Sequence, residues 1–195
     1  MKLVFASNNK HKLDEVRAIL TGHEVLSLND IGFVTDIEET GDTLEANSLI
    51  KARVVADFIK AQALSVEGIF SDDTGLEIDA LGGQPGVHTA RWAGEPANDA
   101  NNRRKVLTLL QGQAHRSARF RTVITLIRGE QMQQVEGRVE GVIATQKSGN
   151  GGFGYDPLFM PEGYDKTFAE LPAEVKNSIS HRARAMQALC KVLDD

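Results

Sequence analysis

LVFASNNKHKLDEVRAILTGHEVLSL, residues 3–28, decides the fold class. Leu3 to Ala6 is an uninterrupted apolar run, the pattern of a strand buried on both faces of an α/β sheet. A polar loop, Ser7 to Lys12, follows it. Leu13, Val16, Ile19 and Leu20 then share one helical face, and Gly22 stops the helix. Val25 to Leu28 forms a short second strand.

Reading outward, a second helix is predicted from Asp42, with Glu45 at capping-box spacing, through ANSLIKARVVADFIKAQA. Gly68 to Asp72 is a further strand; Gly75 permits a turn before LEIDAL, and GGQPG at 82–86 is a loop. Asn98 to Leu110 reads as a helix ended by Gly112. Phe120, Thr122, Ile124 and Leu126 alternate with period two, so Ala118–Ile127 and Gln133–Ala144 are expected as antiparallel neighbours. A glycine-rich loop spans Ser148 to Pro157. The last helix, His181 to Leu193, carries Met186, Leu189, Cys190 and Leu193 as its apolar stripe. Helices alternating with strands early and a β-ribbon late imply an α/β domain with a mixed sheet.

With 195 residues, the length suits one domain or two small lobes sharing a sheet. No apolar run approaches the ~20 residues that span a bilayer, and MKLVFASNNK holds no secretory apolar core. The lone Cys190 excludes an intramolecular disulfide and a cysteine-rich zinc site, so a reducing cytoplasm is expected. A net charge of −5 argues against coating nucleic acid, but permits a small polyanion on a local basic cluster.

Several segments have residues suited to that chemistry. SNNKHK joins a strand to a helix start, where free N–H groups and the dipole favour an anion; Ser7, Asn9 and Lys12 either meet a phosphate or form an ordinary capped loop. In Ser71-Asp72-Asp73-Thr74-Gly75 the adjacent acids point to opposite faces of an extended backbone and cannot chelate one ion together. One acid suits Mg²⁺ or an attacking water; the alternative is an acidic strand end. Glu38, Glu39 and Asp42 precede a helix, where acids also simply complement the dipole. Asn47 and Lys51 share a helical face, solvated or turned to phosphate. Phe153 and Tyr155, among glycines, offer a stacking face or belong to the core. Lys176, His181 and Arg182 gather near the start of the last helix, where cations oppose the dipole unless an anionic or carbonyl-rich ligand offsets it.

SNNKHK, EETGDTLEANSLIKA, SDDTGLEIDALGGQPGVHTARWAG, GGFGYDPLF and EVKNSISHRARA occur in order between Leu3 and Leu193. Together they resemble the inosine triphosphate pyrophosphatase family, also called dITP/XTP pyrophosphatases. The resemblance implies one pyrophosphatase domain over residues 1–195, an elongated mixed sheet flanked by helices, and two lobes with a central nucleotide-binding cleft. It implies Mg²⁺-dependent hydrolysis of deaminated purine nucleoside triphosphates to monophosphate and pyrophosphate, in a cytoplasmic homodimer without nucleic-acid or membrane partners. By position it makes Ser7, Asn9 and Lys12 triphosphate contacts, with Lys51 as a further basic one, and Asn8, Lys10 and His11 substrate-binding residues. Glu38 and Asp73 become metal ligands, with Asp73 also the general base and Thr74 a nucleotide contact. Phe153, Gly154, Tyr155, Asp156, Lys176, His181 and Arg182 become the base-recognition wall. Ser7 stands where Thr is frequent, and Thr74 where Ser is; both keep a hydroxyl. A purine nucleotide-binding regulator without turnover is the alternative, since it would not need Glu38 and Asp73 together.

Overall fold

The computed structural model describes residues 1–195. In chain order the elements are β1 (Lys2–Phe5), α1 (Lys10–Ile19), β2 (Glu24–Leu26), α2 (Leu44–Ala61), β3 (Gly68–Ile78), α3 (Asp99–Leu109), β4 (Ser117–Arg128), β5 (Gln131–Ile143), β6 (Phe159–Pro161), α4 (Ala173–Ile179) and α5 (His181–Asp194). One six-stranded sheet runs β2-β1-β3-β4-β5-β6. β1 pairs in parallel with β2 and β3, and β5 pairs antiparallel with β6, so the sheet is mixed as expected. Only two residues, Gly129 and Glu130, join β4 to its neighbour β5, a connection that an antiparallel hairpin alone can close.

The chain divides into two compact units. The first comprises Met1–Asp73, Val123–Glu136 and Ala185–Asp195; the second comprises Thr74–Thr122 and Gly137–Arg184. In the first unit the alternation of β1 sorts its side chains between two cores. Leu3 and Phe5 join Leu13 and Val16 of α1 and Met186, Leu189 and Leu193 of α5. Val4 and Ala6 join Val55 and Ile59 of α2 with Leu28 and Phe33. Both sheet faces are therefore covered, which is why β1 reads as continuously apolar. Phe5 and Phe70 stack within the first of these cores, ring centroids 4.9 Å apart. The second unit has its own core, built around Leu76, Ile78, Phe120, Phe159 and Phe168.

Two local expectations are corrected, and one helix was not anticipated. α2 is capped by Thr43, whose hydroxyl accepts from the Ala46 amide, rather than by a capping box from Asp42. β3 does not turn at Gly75; it continues to Ile78, because Leu76 and Ile78 are fully buried and keep the alternation going. The short α4, seven residues after Pro172, had no periodic signature long enough to be read.

Candidate active site

β3 sets out the first cluster by its pleat. Even-numbered side chains share the face of Phe70, which packs with α1, and odd-numbered ones share the face of Ser71, which meets α2. Asp72 accordingly meets Lys12 of α1, Nζ lying 2.9 and 3.2 Å from its two oxygens. Asp73 meets Lys51 of α2 at 3.7 Å, and the same ammonium lies 2.8 Å from Glu39. Each acid thus forms an ion pair with a lysine of a different helix, while Lys51 also feels the charge of Asp72 and Asp73 that of Lys12.

Burial gives this cluster its electrostatics. Asp73 is pushed up to about 6, first by loss of water and then by the Glu39 and Asp72 carboxylates, with Lys51 and Lys12 only partly opposing. Burial lowers Lys51, but Asp72, Asp73 and Glu39 outweigh it and hold the ammonium above its ordinary value. Asp73 is therefore a carboxylate whose proton affinity lies near the working pH of a general base. Its folded value exceeds the ordinary 3.8, so the native state retains a proton that the unfolded chain has lost between 3.8 and about 6. This group's contribution to stability falls as pH rises through that window. In metal-free protein, the Asp73 carboxyl carbon should titrate by NMR with a midpoint near 6; a midpoint at the ordinary aspartate value would contradict this electrostatic account.

A buried run of hydroxyls anchors the two elements that carry Lys51 and Asp73. Ser48 lies almost one turn before Lys51, and Ser71 two residues before Asp73 on the same strand face. Ser71 Oγ donates to the Ser48 carbonyl at 2.5 Å, and Ser48 Oγ lies 3.1 Å from Ser71 Oγ and 2.8 Å from Thr125 Oγ1. Gln134 Nε2 donates to Thr125 Oγ1 at 3.0 Å. An amide N–H can only donate and a carbonyl can only accept, so the chain has one satisfied direction: Gln134 to Thr125 to Ser48 to Ser71 to the Ser48 carbonyl. None of these hydroxyls stood out in the sequence. The available signal was their spacing from Lys51 and Asp73.

The SNNKHK loop is ordered by its own polar groups. Ser7 Oγ accepts from the Asn9 amide at 3.1 Å, and Asn9 Oδ1 caps α1 by accepting from the Lys12 amide at 3.0 Å. Asn8 accepts from the Asn29 amide at 2.8 Å. Three basic residues and no acid occupy the first turn of α1, the charge pattern that suits an anion rather than the dipole. Lys10 turns outward to an exposed i,i+4 pair with Asp14, and His11 is exposed. Glu38 is also exposed and forms no hydrogen bond or ion pair, whereas its neighbour Glu39 reaches Lys51. No group of three His, Cys, Asp or Glu side chains gathers as a metal cage.

In the second unit, Thr74 bonds to Thr122 through their hydroxyls at 2.8 Å. Phe153 is 68% exposed, with Lys176 Nζ 5.0 Å from its ring centroid. Lys176 pairs with the buried Asp156 at 2.5 Å, and Asp156 also accepts from the Phe153 amide at 3.0 Å. His181 stacks on Phe120 at 4.9 Å, and Arg182 is half-buried beside it in α5. Tyr155 is corrected: its ring is buried in the core and its hydroxyl donates to the Thr89 carbonyl at 2.7 Å. Burial, and secondarily Asp99, raises this phenol above its ordinary value. Phe153 alone of the loop's two aromatics offers an open face.

The sequence model of the Ham1 family matches residues 3–192. The chain is 52% identical over 190 residues to the dITP/XTP pyrophosphatase of Porphyromonas gingivalis, covering 96% of this chain and 95% of the relative. It is 48% identical over 194 residues to the dITP/XTP pyrophosphatase of Flavobacterium johnsoniae, covering 99% and 98%. The solved structure of the Staphylococcus aureus Ham1 protein superposes with a TM-score of 0.91 at 37% identity, covering 100% of this chain and 98% of the other. Family model, relatives and fold coincide over nearly the whole length, and the chain belongs to the Ham1 family.

Proposed function

We propose that the protein hydrolyses deaminated purine nucleoside triphosphates (dITP, ITP and XTP) to the nucleoside monophosphate and pyrophosphate. The observation that carries this reading is the paired arrangement on β3, where Lys12–Asp72 and Lys51–Asp73 occupy opposite strand faces. The names of the relatives at 48 and 52% identity point the same way.

Asp73 orients the attacking water and takes its proton as the anhydride between the α- and β-phosphorus breaks and pyrophosphate departs. A carboxylate with a value of about 6 is ionised at neutral pH yet basic enough to share that proton. Lys51 and Lys12 supply positive charge to a triphosphate that the acidic chain otherwise repels. Asp72 holds Lys12 in place through its two oxygens.

The carboxylate set fits Mg²⁺. Hard oxygen donors are its preferred ligands, and one or two carboxylates with substrate phosphates complete its shell without a dedicated protein cage. Asp73 and Glu38 would hold it, and the position of Glu39 makes that acid a further candidate. When bound, the ion neutralises charge on the departing pyrophosphate.

In the second unit, Phe153 gives a purine an apolar face. Lys176 and Arg182 are donors suited to the six-carbonyl of hypoxanthine and xanthine; the six-amino group of adenine would leave them facing another donor. Pyrophosphate release across dITP, XTP, GTP and ATP, with Mg²⁺ or with EDTA, tests the reading. kcat/KM for dITP and XTP should exceed that for ATP by roughly a hundredfold or more, and EDTA should abolish turnover. Equal values would remove the base-recognition account, while nucleotide binding without turnover would favour the regulator.

A further inference from the structure

The tip of the glycine-rich loop is held by a helix that no sequence motif connects to it. Gly154 has φ +60°, and a side chain there would find nothing within 4 Å. That φ is one that L side chains rarely adopt, so the glycine, free to rotate where other residues are not, is a hinge directly following the exposed ring of Phe153. Two side chains of α3, one turn apart, close that hinge. Asp99 Oδ2 accepts from the Gly154 amide at 3.0 Å, and Arg103 Nη1 donates to the Gly154 carbonyl at 2.7 Å. The amide belongs to the peptide plane before Gly154 and the carbonyl to the plane after it. Fixing both planes fixes the rotation between them.

Phe153 is held on its other side as well. Its amide donates to Asp156 at 3.0 Å, and its carbonyl accepts from the Asp156 amide at 3.1 Å. Every backbone polar group from the Phe153 amide to the Gly154 carbonyl is thus engaged, half of them by α3. The exposed phenyl ring therefore stands on a backbone whose polar groups are all hydrogen-bonded. Exposed apolar side chains gain nothing from rigidity in the free protein, but a rigid aromatic platform spares a ligand the ordering entropy of binding. Both α3 contacts are charge-assisted, strong enough to offset the freedom lost at a glycine.

We propose that Asp99 and Arg103 are positioning residues that lock the Gly154 hinge and pre-organise Phe153 for the nucleobase, setting purine affinity from α3 without contacting the nucleotide. This rests on the reading of Phe153 as the base platform. Removing the lock lets the ring sample orientations that a purine must then select against, which weakens binding while leaving the groups around Asp73 unchanged.

The test compares Arg103→Met, Asp99→Ala and Phe153→Ala in steady-state assays with dITP, together with amide hydrogen exchange across 152–156. Arg103→Met and Asp99→Ala should each raise KM about tenfold, keep kcat within about twofold, and speed exchange at Gly154. The decisive arm is Gly154→Asn placed in the Arg103→Met background. Asparagine tolerates the left-handed region and narrows the hinge without restoring either hydrogen bond, so it should recover part of the lost affinity. An unchanged KM in both α3 variants overturns the proposal, as does a KM rise that Gly154→Asn leaves in full, which would mean that Arg103 meets the ligand directly. If Phe153→Ala itself leaves KM unchanged, the platform reading has failed. If Phe153→Ala raises KM and the α3 variants do not, the lock alone has failed.

Discussion

Asp73→Asn is expected to lower kcat by about 10²–10⁴, with dITP affinity kept within a few-fold. Asparagine preserves the shape and one acceptor, but cannot take a proton from water. Near-normal turnover would remove Asp73 from the mechanism. The same substitution should have an opposite effect on stability. Wild-type Asp73 is ionised at neutral pH against a burial penalty that raises it from 3.8 to about 6, and the amide has no charge to desolvate. The variant's stability relative to wild type should therefore improve by about 2–3 kcal/mol between pH 4 and pH 7, read by urea unfolding of the metal-free proteins at both pH values. A flat difference would mean that Asp73 is already well compensated in the resting fold. Lost turnover with gained stability is the pattern of a residue kept for its reactivity.

Lys51→Met should abolish measurable turnover and destabilise the fold together. Its ammonium is the nearest cation to both Glu39 and Asp73, with only 16% of the side chain exposed. Removing one member of a largely buried ion pair leaves the other uncompensated, typically at a cost of about 3–5 kcal/mol. Methionine keeps most of the stem's apolar volume, which separates the loss of charge from the loss of packing. Without Lys51, Asp73 rises further, so the deficit should shrink as pH falls through the range where it protonates. Thermal unfolding of wild type and variant at pH 5 and pH 8 measures this. A deficit independent of pH would assign the loss to packing instead. A second substitution, Asp73→Asn on Lys51→Met, should recover part of the stability and none of the activity.

Much of this site was legible in the chain. Alternation alone required Asp72 and Asp73 to point apart, and the structure gives each acid a different lysine for that reason. The apolar run Leu3–Ala6 required a strand covered on both faces, and two separate cores cover it. What was not legible involves partners distant in sequence. Glu38 and Glu39 are neighbours in an irregular loop with no period to orient them, so only their placement against α2 distinguishes the acid that pairs with Lys51 from the one that does not. Tyr155 and Phe153 lie two residues apart in a turn where backbone angles differ at every position, and one ring is buried while the other is open. The turn expected at Gly75 failed because strand pairing and the burial of Leu76 and Ile78 overrode a local propensity.

By itself the sequence determined the α/β class, the order of the elements, the opposed acids and the motifs that mark the family, because these depend on short-range period and residue chemistry. Only the tertiary structure decided which lysine meets which acid, which aromatic stays open, and that Asp99 and Arg103 hold Gly154 from more than fifty residues away. Hydrogen bonds and ion pairs act over about 3–4 Å, and the distance between such groups is set by how the whole chain packs.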